Sequence, residues 1–284
     1  MPTTYVLGLR GTSELDYQPK PNVPTPMLRH IVQRADMTRL RSSDNHVVYV
    51  EVPYAASIGF VNARRDMFGL SLYNSLLTGA HALSESIKSV RARMMHGDRL
   101  VVAGYSLGCL VILHAYNHMR GALAGVDRFL LVASPATSSL RPNVTVRTSG
   151  RGKRFTGIAS EWVTDEWLAQ DSRAYPVAHP LDPIVFLHPS SPLRYAVPAL
   201  WELDLDDPKA IDAAIRMVQT GKVAGIITRL IDPDYREAAA TAIDDIVRYA
   251  HGGYHTVRYG IDARVIESRY SVLDYAVRLI WEAQ

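Results

Sequence analysis

The chain has 284 residues, 48% of them apolar and 21% charged, with a net charge of +3. This is the composition of an ordinary globular protein with apolar material for one large core. So small a net charge gives no global reason to expect nucleic acid or an anionic membrane surface as partner.

Cys109 is the only cysteine, so no internal disulfide can form and the fold does not rest on an oxidising compartment. The opening "MPTTYVLGLRGT" lacks a basic n-region, and its apolar run is too short for a signal h-region. No stretch reads as a membrane span. The expectation is a protein made in the cytoplasm, without a signal peptide or an integral membrane segment.

"TYVLGLRG" (4–11) reads as a buried first strand ending in a glycine turn. Residues 12–45 are a polar loop with a helix near 26–40. "HVVYVEVPY" (46–54) is β-branched and aromatic, a second strand. Residues 71–95 carry apolar side chains at helical spacing. "DRLVVAGYS" (98–106) is a third strand and 107–121 a helix. "DRFLLVASP" (127–135) is a fourth strand, and "RAYPVAHP" (173–180) is a candidate fifth. Strands alternating with helices imply a mainly parallel sheet with helices on both faces, an α/β fold.

Between those last two strands, residues 141–157 are basic and without helical period, a loop or an irregular hairpin whose "RTSGRGKR" run is a solvated segment or a contact for a polyanionic polymer. Residues 192–250 read as helical throughout. Asp207-Pro208 and Asp232-Pro233 are helix starts, and Gly221 and Gly252 are stops. The last helix is "SVLDYAVRLIWEAQ". We therefore expect a single domain over 1–284, with 192–250 as a helical insertion within it.

The chemistry centres on "GYSLG" (104–108). A strand, Gly-x-Ser-x-Gly and then a helix form a nucleophile elbow, with Ser106 on the sharp turn. The Leu107 N–H then sits at a helix N-terminus, aimed at a developing oxyanion. The alternative reading is a glycine-rich turn in which Ser106 only caps the helix.

A serine hydroxyl needs a base, and the chain order on such a sheet is Ser, then Asp or Glu, then His. Of the ten histidines, His255 follows a Gly-Gly turn from which a loop can return to the elbow. His251 stands as the alternative. Asp182 in "AHPLDPIV" lies just beyond a strand, at the end of the sheet where catalytic loops gather. The alternative is a simple turn residue before Pro183. Asp165, Glu166 and Asp171 look like surface charges. The loop after the first strand should bring further oxyanion donors through Gly11 and Thr12. His114 and His118 lie four apart on a helix, but they lack a third ligand, so no metal and no cofactor are expected.

"GLRGT", "GYSLG", "AHPLDPI" and "HTVRY", in this order, resemble the lysin B esterases of mycobacteriophages, in the cutinase-like branch of the α/β-hydrolases. The resemblance implies a cutinase-like core with a helical linker insertion between the catalytic aspartate and histidine. It also implies the triad roles for Ser106, Asp182 and His255. The implied substrate is mycolyl-arabinogalactan or another long-chain lipid ester, cleaved at the cell envelope during or after host lysis. Arg10 stands where that family often has histidine, and Leu107 where it often has glutamine. Ile226, Ile227 and Leu230, in "VAGIITRLI", are candidates for an apolar substrate groove, although helix core packing also explains them. A monomer is expected. The competing functions are a generic cutinase- or lipase-like carboxylesterase and a non-catalytic hydrolase-fold phage component.

Overall fold

Apolar runs too rich in β-branched residues for a surface helix become strands when both of their faces are covered. A computed structural model describes residues 2–12, 14, 26–39, 46–58, 69–138, 155–195, 253–262 and 270–281. Among these, five runs are strands: β1 (Thr3–Leu9), β2 (His46–Glu51), β3 (Arg99–Tyr105), β4 (Arg128–Val132) and β5 (Ala174–Val177). They form one sheet in the order β2-β1-β3-β4-β5, and every pairing is parallel.

Side chains alternate across the sheet, as the two-residue period of a strand requires. Leu7, Leu9, Leu100, Val102, Phe129 and Leu131 join one core cluster, together with the apolar faces of α2 (Leu72–Arg91) and α3 (Leu107–His118). Val6, Val101, Ala103, Leu130 and Val132 join a second cluster. That one is completed by α1 (Met27–Arg39) and α5 (Val272–Trp281). A short helical turn, α4 (Arg258–Ile261), precedes α5. Burying one Val, Leu, Ile or Phe side chain is worth about 1.5–3 kcal/mol, so these two layers supply most of the driving force.

Local chemistry sets the ends of the elements. Ser71 caps α2 by accepting the Asn74 N–H at 3.2 Å. Lys88 and Arg91 lie in the last turn of that helix, where the dipole favours cations. The fourth strand stops at Val132 because Ala133 has φ of 57°, outside any extended conformation. The helix read over 107–121 stops at His118. Met119 leaves the helical region, and a 3₁₀ turn follows at Arg120–Leu123. Of the helical insertion read over 192–250, only the 3₁₀ turn Pro192–Tyr195 belongs to the described residues. Arg194 in that turn is buried. Its guanidinium donates to the carbonyls of Thr156, Gly157, Leu187 and His188, which anchors this turn to the core. The basic segment 141–154 and the groove candidates Ile226, Ile227 and Leu230 lie outside the described residues.

The sheet grows outward in two directions from β1 and β3. A crevice therefore opens at their carboxyl ends, where the connections diverge. Leu9 pairs in register with Gly104, so the loops after β1 and β3 begin side by side. Helix α3 packs on both strands at backbone distance. A Cβ added at Gly108 would stand 2.0 Å from the Leu9 carbonyl oxygen. One added at Gly104 would stand 2.7 Å from the Gly108 carbonyl and the Cys109 nitrogen.

This contact yields a stability test. Gly108→Ala should cost on the order of 3 kcal/mol, because backbone cannot give way as a side chain can. Gly121→Ala, with nothing within 4 Å of the added carbon, should be neutral or stabilising by up to about 1 kcal/mol. Urea unfolding of the two variants beside the parent chain checks the contrast.

Candidate active site

Ser106 is the single residue between β3 and α3, at φ 51° and ψ −115°. An L-residue in such a conformation carries about 1–3 kcal/mol of strain and persists only where its surroundings impose it. Here the Ser106 N–H donates to the Val132 carbonyl at 3.0 Å, and the Ser106 carbonyl accepts the Cys109 N–H at 2.9 Å. The Cys109 thiol is buried beneath the turn, 3.2 Å from the carbonyl oxygens of Gly104 and Val132. Burial pushes this thiol well above its ordinary pKa, so it stays neutral.

The Ser106 hydroxyl makes no capping bond to α3. It lies instead 2.9 Å from His255 Nε2. The other ring nitrogen, Nδ1, is 2.7 Å from Asp182 Oδ2. An ionised carboxylate only accepts, so Nδ1 carries the hydrogen and the Nε2 lone pair faces Ser106. The three residues thus form a hydrogen-bonded line from a buried carboxylate to a hydroxyl on a strained turn.

Asp182 is fully buried in the loop that follows β5. Its Oδ1 accepts the Ile184 N–H at 2.9 Å, an Asx turn leading past Pro183. One side chain thus closes a turn with Oδ1 and meets His255 with Oδ2. Oδ2 accepts a second hydrogen bond, from the Tyr259 hydroxyl at 2.7 Å. His255 is buried and stacks on Tyr105, with ring centroids 5.4 Å apart. The Tyr105 hydroxyl donates to the His255 carbonyl at 2.5 Å. His251 lies outside the described residues.

The other acids point elsewhere. Asp171 binds Arg173 at 2.7 Å, and this hydrogen bond holds its carboxyl below the ordinary range. Asp165 is buried, contrary to the surface role expected for it, and accepts the Ser138 N–H at 3.0 Å. His114 and His118 lie side by side, with ring centroids 4.5 Å apart and planes tilted by 45°. Among the described residues no group of three His, Cys, Asp or Glu could hold a metal.

The expected oxyanion donors separate. Leu107 is the first residue of α3 and buried, so its N–H has no carbonyl of its own helix to meet. Gly11 lies directly against the elbow. A Cβ there would fall 2.8 Å from the Tyr105 ring and 3.3 Å from the Ser106 Cβ. Its N–H, however, donates to Glu14 Oε2 at 2.9 Å, so Gly11 acts here as a spacer against the elbow and its N–H is already engaged. Arg10 faces away from Ser106. Its buried guanidinium donates to Glu51 at 3.0 Å and to the Tyr54 carbonyl at 2.5 Å, fastening this loop to the β2 side.

Two supports escaped the sequence reading. Glu14 accepts the Gly11 N–H and, at 2.5 Å, the Met27 N–H, tying the loop to the start of α1. Burial raises its carboxyl pKa against the pull of those two hydrogen bonds. His179 Nδ1 accepts the Leu181 N–H at 3.1 Å, and Nε2 lies 3.0 Å from Asp262. Burial lowers its pKa despite Asp262. It is therefore a neutral ring clipping the His255 segment to the Asp182 loop. A Gly-x-x-Glu spacing and the histidine of "AHPLDPI" were the available signals.

No protein-family model and no curated protein matches the chain. Solved structures do resemble it. A cutinase-like protein from Cryptococcus sp. is 14% identical, with a TM-score of 0.43 over 69% of this chain and 86% of that one. The catalytic core domain of acetyl xylan esterase from Trichoderma reesei is 19% identical, with a TM-score of 0.42 over 65% and 86%. Trichoderma reesei cutinase in complex with a phosphonate inhibitor is 25% identical, with a TM-score of 0.32 over 48% and 53%. Among the described residues no helix is long and apolar enough to cross a membrane. The parallel sheet, with a serine elbow after its central strand, is an α/β-hydrolase core.

The strain at Ser106 can be measured. Ser106→Gly and Ser106→Ala both delete the hydroxyl, but only glycine adopts this backbone freely. The glycine variant should be more stable than the alanine variant by about 1 kcal/mol, even after the greater chain entropy of glycine. Denaturant midpoints of the pair read this difference.

Proposed function

We propose that the protein is a serine carboxylic ester hydrolase with Ser106 as nucleophile, His255 as base and Asp182 as its partner. The observation that carries this reading is the hydrogen-bonded line from Asp182 through His255 to Ser106. Ser106 Oγ attacks the ester carbonyl carbon as its proton passes to His255 Nε2. Negative charge gathers on the carbonyl oxygen and is met by the N–H of Leu107 and by Thr12. Collapse of the tetrahedral intermediate breaks the bond to the alcohol, which leaves with the proton from His255. Water, deprotonated by the same nitrogen, then attacks the acyl-serine and releases the acid. Asp182 stabilises the imidazolium formed in each half-reaction.

The finer reading is cleavage of the ester between mycolic acids and arabinogalactan, in the cell envelope of a mycobacterial host during phage-induced lysis. Its support is the ordered set of four motifs that resemble those of the lysin B esterases. Val257 and Ile261, a helical turn apart beside His255, are 62% and 67% exposed. Apolar side chains at that place suit a long acyl chain. A generic cutinase- or lipase-like esterase is the second reading, since the same catalytic line serves short esters equally well.

The test uses purified protein with p-nitrophenyl esters from butyrate to palmitate, and with isolated mycolyl-arabinogalactan. Ser106→Ala and His255→Ala should each lower kcat by about 10⁴-fold or more, and Asp182→Asn by a similar order. Release of free mycolic acid by the parent chain supports the finer reading. Turnover of short esters alone favours the generic esterase. Folded protein that neither turns over an ester nor forms an adduct with a phosphonate probe would leave the non-catalytic alternative standing.

A further inference from the structure

His255 and Tyr259 are four residues apart, and both reach the same oxygen. His255 Nδ1 and the Tyr259 hydroxyl each lie 2.7 Å from Asp182 Oδ2. The spacing places both side chains on one face of the turn that leads into α4. Tyr259 is 1% exposed, and Asp182 is wholly buried. We infer that Tyr259 is a positioning residue for His255, acting through Asp182; this deepens the esterase reading and rests on it.

Two effects follow from the geometry. First, Asp182 is held at three points: Ile184 N–H on Oδ1, and Tyr259 and His255 on Oδ2. Without the phenol, the carboxylate loses one of its three fixed points and the imidazole it holds is aligned less well with Ser106. Second, the tyrosine hydrogen competes with imidazole for the charge of Oδ2. It draws electron density from the carboxylate and so limits how strongly Asp182 favours the protonated ring. An imidazole held too readily as imidazolium is a poor base near neutral pH.

The phenol remains a donor under all working conditions. Burial and the adjacent Asp182 charge push it well above the ordinary tyrosine range. The other charged groups nearby are already engaged. Asp262 pairs with His179 at 3.0 Å and with Arg258 at 3.0 Å. Tyr105 spends its hydroxyl on the His255 carbonyl. Only Tyr259 and His255 donate to Asp182 Oδ2 among the described side chains.

The test follows the His255 ring by ¹⁵N-edited NMR across pH in the parent chain, Tyr259→Phe, Asp182→Asn and the double variant. Tyr259→Phe removes the competing donor, so the carboxylate holds the imidazolium more tightly. The His255 midpoint should rise by roughly half to one pH unit. The acidic limb of kcat/KM for a p-nitrophenyl ester should rise with it. At the plateau, kcat should fall about tenfold with KM nearly unchanged. In the Asp182→Asn background the same substitution should shift nothing further. Tyr259→3-fluorotyrosine keeps the ring and strengthens the donor, so it should move the midpoint down. It also covers the case in which Tyr259→Phe fails to fold. An unchanged midpoint in the folded variants, or an equal shift with and without Asp182, would overturn the inference. A parent chain that turns over no ester would instead overturn the esterase reading, and the NMR comparison would still decide the role of Tyr259.

Discussion

The site depends on one close contact, that of α3 with the backbone of β1 and β3. Gly108 and Gly104 have no room for a side-chain carbon, and that is why the chain can fold straight from strand into helix through a single residue. The same closeness forces Ser106 to φ 51°. Its strain of about 1–3 kcal/mol is outweighed by the burial of β3 and α3, where each large apolar side chain contributes a comparable amount. Leu100, Val101, Val102, Leu110, Ile112 and Leu113 are all buried there. The hydroxyl is thereby presented at the mouth of the crevice by two deeply buried elements.

A second constraint is electrostatic. Among the described residues, Asp182 is a carboxylate buried without an arginine or lysine partner, which is costly unless donors surround it. Three donors do so, and each has a consequence. Ile184 fixes the turn, His255 receives its tautomer, and Tyr259 shares the charge. The ring of Tyr105 backs the imidazole, and its hydroxyl holds the His255 carbonyl. His255 is thus gripped at its ring and at its backbone, with Nε2 left facing Ser106.

The loop after β1 illustrates how position outranks residue type. Arg10 occupies the place where a resembling family often has histidine, yet it turns away to Glu51 and Tyr54. Its work is to hold the loop down. Glu14 binds the same loop from the other side, through Gly11 and the first turn of α1. Both charged side chains of the loop are therefore spent on fixing its backbone, and Gly11 is the residue that lies against the elbow.

The alternation of β-branched runs with helical periods was enough to name the parallel sheet, because burial on both faces leaves no other pattern. Gly-x-Ser-x-Gly was enough to place the elbow, because only glycine tolerates that packing. Chain order pointed to Asp182 and to His255 or His251, and the sequence by itself carried the choice no further. The tertiary structure decided what stands around them. Tyr105 and Tyr259 look like core aromatics in one dimension, Glu14 looks like loop polarity, and Asp165 looks like a surface charge. Each takes part in a contact 13 to 150 residues away along the chain. Local sequence sets backbone preference and periodicity. Which hydroxyl meets which carboxylate is set by how distant segments pack, and that is a property of the folded chain alone.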